Sequence, residues 1–61
     1  MWSRHEQDKR LASFGCRLVL DVDRPPYQAR LLSLGGAEVS SLEAYMLEDL
    51  YNQAIAIARA R

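Results

Sequence analysis

The longest helical pattern in the chain runs from Ser40 to Arg61, SSLEAYMLEDLYNQAIAIARAR, without Gly or Pro. Ser40 and Glu43 have the S-x-x-E spacing of a capping box, in which the hydroxyl accepts from the Glu43 amide and the glutamate reaches back. Val39 and Ala44 occupy the two positions of a hydrophobic staple. Glu43, Glu48 and Asp49 precede Arg59 and Arg61, the order the helix dipole favours. The spacing predicts one long helix over 40–61. On a helical wheel its apolar residues fill roughly 220°, more than twice the ~100° stripe of an ordinary surface helix. Leu42, Met46, Leu50 and Ile57 form one part of that arc, suited to a sheet. Leu47, Tyr51, Ile55, Ala44 and Ala58 form a second part, available to another helix, a second copy or a partner.

Residues 14–23, FGCRLVLDVD, alternate instead. Cys16, Leu18, Leu20 and Val22 share one face, and Arg17, Val19, Asp21 and Asp23 the other, the period of a half-buried strand. Arg24-Pro25-Pro26-Tyr27 interrupts it, because proline cannot donate to a ladder. QARLLSL (28–34) returns as a second strand, ended by Gly35-Gly36, read here as a turn before the helix. Pairing Asp23 with Gln28 sets Asp21 opposite Arg30, a favourable cross-strand charge match. In that register Val19 lies opposite Leu32, and Arg17 opposite Leu34. The outer sheet face then carries Val19, Leu32 and Leu34, which one helix on the inner face cannot cover.

Residues 1–13, MWSRHEQDKRLAS, offer only Met1, Trp2, Leu11 and Ala12 as apolar positions. Ser3 and Glu6 form a second capping box, and Glu6 precedes Arg10 by four. The segment is either a short helix pinned by Trp2 and Leu11 or a frayed, loosely packed arm. Trp2 has two matching roles, a lid over the core edge or an aromatic anchor for a partner. The expected fold class is therefore α+β, a single small domain over 1–61. Its antiparallel hairpin packs on a long C-terminal helix, with a short N-terminal helix at most (αββα).

Sixty-one residues limit the core. A chain of ~60 residues buries only about 60% of its unfolded surface, and small scaffolds usually add a disulfide, a metal or a subunit. Cys16 is the only cysteine and His5 the only histidine, so an internal disulfide and a metal cluster are both unexpected, and association is what remains. No apolar run reaches the ~20 residues of a membrane span, and the N-terminus lacks the apolar region of a secretory signal. A cytoplasmic location is the expectation, with which a free thiol agrees.

Candidate chemistry is sparse. His5 sits in a polar segment, and Cys16, on the apolar strand face, has no base beside it. Asp21 and Asp23 share their face with Arg17 and Arg30, which favours ion pairing over catalysis. GGAEVSS lacks the spacing and lysine of a phosphate loop. No enzyme activity, cofactor or small-molecule substrate is expected. The charge balance is eight basic against eight acidic residues, unlike the basic excess of most nucleic-acid binders. An arginine-bearing hairpin (Arg17, Arg24, Arg30) in a dimer is the nucleic-acid alternative. The favoured expectation is a protein-binding inhibitor, adaptor or regulator, or a homodimer, of the kind phages and mobile elements use against host or defence machinery. Its candidate interface comprises Leu47, Tyr51, Ile55, Ala58, Trp2, Val19, Leu32 and Leu34.

Overall fold

In the computed structural model, which describes residues 1–61, five elements follow in the order α1 (Arg4–Ser13), β1 (Cys16–Val22), β2 (Tyr27–Ser33), β3 (Glu38–Ala44) and α2 (Leu47–Arg59). The fold is α+β: one antiparallel sheet of three strands, ordered β1-β2-β3, with both helices on one of its faces.

The N-terminal segment is a helix rather than a frayed arm. Ser3 is extended, and its Oγ accepts from the Glu6 amide at 3.5 Å, so this capping position acts as the spacing predicts. Arg10 donates to Gln7 at 3.4 Å instead of pairing with Glu6. The helix ends where the Gly15 amide donates to the Ala12 carbonyl at 3.0 Å. Gly15 takes φ +78°, a left-handed conformation that glycine adopts without steric cost. That reversal lays α1 back along β1.

β1 and β2 pair with Leu20 opposite Ala29, Leu18 opposite Leu31, and Cys16 opposite Ser33. The register is displaced by two residues from the predicted one. An even shift keeps every side chain on its face, whereas a shift of one would invert the strand. A bulge at Asp21 then changes the phase, so Val22 pairs with Gln28 and leaves the apolar face expected for it. The bulge also aims Asp21 at Arg30, which donates to both carboxylate oxygens at 3.0 and 3.1 Å. The expected charge match thus forms diagonally, with Val19 directly opposite Arg30.

The main departure lies in residues 38–44, which are strand and not helix. Gly35-Gly36 is a hairpin turn: the Gly36 amide donates to the Ser33 carbonyl at 2.9 Å, and Gly36 takes φ +95°. Leu42 then pairs with Ala29, Ser41 with Arg30, and Ala44 with Tyr27. A bulge at Val39 separates the Leu31–Ser40 and Leu32–Glu38 pairs. Ser40 and Glu43 form no capping box, and the Ser40 hydroxyl turns to the Ser41 carbonyl at 3.5 Å. A cap contributes ~1 kcal/mol, while pairing with β2 satisfies a whole strand edge. Pairing prevails. The C-terminal helix is accordingly short, thirteen residues from Leu47, with Met46 as an N-cap that supplies no side-chain bond.

The apolar layer lies between sheet and helices. Leu11, Cys16, Leu31, Tyr51, Ala54, Ile55 and Ala58 form its larger cluster. Ala29, Ala44 and Leu50 form the smaller one, and Leu18 and Leu42 touch both. The accessible surface is 4006 Å² for 7.0 kDa, against ~4,000 Å² for an ordinary folded monomer of that mass. The chain is therefore as compact as an ordinary folded monomer of its mass. No helix is long and apolar enough to cross a membrane.

Candidate interaction surface

The surplus helix face that the sequence suggests does not exist as a surface. Tyr51 is 0% exposed, Ile55 5% and Ala58 4%. Leu47 is half-buried against the Ala29–Ala44–Leu50 cluster. Two causes explain the difference. Leu42, Ala44 and Met46, counted in the wide apolar arc, belong to β3 and the link after it. What remains on α2 is covered by the sheet and by α1, whose Leu11 shares the larger cluster.

A polar clasp closes this helix pair. The Tyr51 hydroxyl donates to Asp8 Oδ1 at 2.7 Å and accepts from Arg4 Nε at 3.0 Å. Trp2 meets the Tyr51 ring edge to face, with centroids 5.8 Å apart at 69°. Trp2 is half-buried against the larger cluster, and its Nε1 has no partner within the chain. Burial is the main cause that raises the Tyr51 hydroxyl pKa above its ordinary 10.0; the bond to Asp8 adds to it and the bond from Arg4 opposes it. A raised folded-state pKa means that the phenol's contribution is complete below pH 10 and is lost as pH rises through the folded value. Stability measured by urea titration should therefore fall above about pH 10. Tyr51→Phe should lessen that fall and cost ~1 kcal/mol at neutral pH, the worth of its hydrogen bonds.

The opposite face of the sheet has no layer upon it. The register places Arg17, Leu32 and Glu38 in one row across the three strands, and Val19, Arg30 and Ser41 in the next. Arg17, Arg30, Glu38 and Ser41 are exposed and Val19 is half-buried. Leu32, at 8% exposure, belongs to neither core cluster and lies between Arg17 and Glu38 in the register. Leu34, 62% exposed, continues the face past the end of β2. Toward the other end lies an open depression of about 400 Å³ lined by Asp21, Gln28, Ala29, Arg30, Ser41, Leu42 and Glu43. Asp21 and Arg30 satisfy one another there. Of the candidate interface residues, Val19, Leu32 and Leu34 thus come together on one surface, separate from Leu47, Tyr51, Ile55, Ala58 and Trp2.

Tyr45 and Met46, 74% and 58% exposed, are apolar surface that the helical reading concealed. They follow Ala44, the last residue of β3, which pairs with Tyr27 at the start of β2. Tyr, Met and Arg are enriched in protein interfaces. The useful signal was the Gly-Gly hairpin, which would have ended a strand at this link.

The arginines do not form a patch. Arg30 is committed to Asp21, while Arg17 and Arg24 are unpaired at opposite ends of β1, roughly 20 Å apart at ~3.3 Å per residue. Glu38 and Glu43 share the sheet face with them and would repel phosphate. Cys16 is fully buried, and its Sγ accepts from Arg61 Nη1 at 3.2 Å. His5 is exposed on α1, and no three His, Cys, Asp or Glu side chains gather in a way that could hold a metal ion. Compared with protein-family models, with curated proteins and with solved structures, the chain matches none.

Proposed function

We propose that this chain is a small non-enzymatic protein-binding module, an inhibitor, adaptor or regulatory protein, that works through the uncovered face of its sheet. The observation that carries the reading is the placement of both helices on one side, which leaves Val19, Leu32 and Leu34 on a face with no covering layer. Tyr45 and Met46 add exposed apolar surface at the link between β3 and α2. A cytoplasmic setting belongs to this reading, since an unpaired thiol persists there. The nucleic-acid alternative lacks a supporting arrangement, because one of its three arginines is neutralised and the others are far apart.

Site-specific photocrosslinking tests the proposal. A crosslinking side chain at Val19 or Leu34 should give protein adducts, and one at Gln53, on the exposed flank of α2, should give few. Adducts from Gln53 alone would overturn it.

A further inference from the structure

We propose that the occupant of the open face is a second copy of this chain, in a symmetric dimer whose two-fold axis runs along β2, with Arg17 of each copy paired to Glu38 of the other. The inference rests on the reading of the sheet face as an interaction surface and names what binds there.

The row Arg17–Leu32–Glu38 carries it. The register sets these residues side by side on β1, β2 and β3, with opposite charges flanking the leucine. Both charged side chains are exposed, and neither has an ion-pair partner within the chain. They stand two strand spacings apart, roughly 10 Å, and no ion pair joins them, although Glu38 lies within electrostatic range of Arg30. A two-fold axis along the central strand exchanges the sheet's left and right sides. It lays Arg17 over Glu38, Leu32 over Leu32, and Glu38 over Arg17, the self-complementarity an isologous interface requires. In the next row Val19 meets Ser41, and each Arg30 meets its counterpart with its charge already matched by Asp21. At the far end Val22 lies over Glu43, at the rim, where the carboxylate stays in water. A two-fold axis across the strands would instead bring Glu38 toward Glu43, so the charges select the first arrangement.

The area sets the strength. Three strands of seven residues offer a face of roughly 14 by 23 Å, about 330 Å² per copy. A stable complex buries about 800 Å² per partner. The dimer is therefore concentration-dependent, in keeping with a monomer already compact by itself, and salt weakens its ionic part.

Sedimentation equilibrium of the full chain at low salt tests the pairing. The wild type should approach twice its monomer mass as concentration rises. Arg17→Glu and Glu38→Arg should each weaken self-association at least roughly tenfold, since one substitution makes both symmetric pairs repulsive. An equimolar mixture of the two variants should recover it, because every pair across the mixed dimer is again opposite in charge. The double variant should self-associate for the same reason. Both sites are exposed, and unchanged circular dichroism should show that the variants fold. A wild type that stays monomeric at every concentration overturns the proposal, as does a mixture no tighter than either variant alone. If the wild type is monomeric yet Val19 and Leu34 still crosslink to another protein, the binding face stands and only the second copy is removed; if neither occurs, both readings fall.

Discussion

Leu11→Ala is expected to lower the free energy of unfolding by ~2–5 kcal/mol, the range for deleting a fully buried leucine. Leu11 is 0% exposed and is the one residue of α1 in the main cluster, where it meets residues of α2 and the sheet. At ~0.05–0.15 kcal/mol per residue, a chain of this length has about 3–9 kcal/mol in all. The variant should therefore lose much of its cooperative transition in urea. A frayed N-terminal arm predicts the reverse, a change within about 0.5 kcal/mol, as for a surface substitution. The measured midpoint thus decides whether α1 is part of the core.

Tyr51→Ala is expected to cost ~3–5 kcal/mol, as aromatic truncations in a core do. The ring fills the centre of the larger cluster at 0% exposure, and its hydroxyl joins Asp8 and Arg4. The substitution leaves a cavity and opens the clasp between the helices. Trp2 should report the loss, because its edge-to-face neighbour disappears and its fluorescence should shift toward that of solvated indole. Tyr51 and Leu11 share a cluster, so the double variant should differ from the sum of the singles by 0.5 kcal/mol or more, ~0.5–3 kcal/mol being usual for contacting residues. An interface role for Tyr51 predicts a different outcome: weaker assembly with stability unchanged.

Local patterns carried much of this architecture. The Ser3 cap, the alternation through Cys16, Leu18 and Leu20, and the Asp21–Arg30 match are all set by neighbours in sequence or by one turn. Even the two-residue error in register did little harm, since strand faces repeat with that period. Residues 38–44 were harder. Ser40 and Glu43 carry a correct local cap signature, but Gly35-Gly36 is an equally good hairpin signature. Only the unpaired edge of β2, a long-range feature, chooses between them. Helix propensity is a weak prior that tertiary context overrides.

That one choice reshaped the candidate site. Placing Leu42, Ala44 and Met46 on a helix widened its apolar arc and made Leu47, Tyr51, Ile55 and Ala58 look surplus. With a third strand in place, the helix keeps an ordinary stripe and buries it. The outer sheet residues Val19, Leu32 and Leu34 were legible because alternation alone places them. Tyr45 and Met46 were not, since their exposure follows from where α2 begins. Arg17 and Arg24, grouped by the hairpin reading, lie near opposite ends of β1.

The central claim is that the sheet face, and not α2, meets other protein. Comparing crosslinking yields from Leu34, on that face, and Gln53, on the free flank of α2, tests it most directly. Both positions are exposed, so neither probe disturbs the core. The account predicts adducts from Leu34 well in excess of those from Gln53, with the excess lost in chains carrying Arg17→Glu. Equal yields from the two positions, or an excess from Gln53, would contradict it.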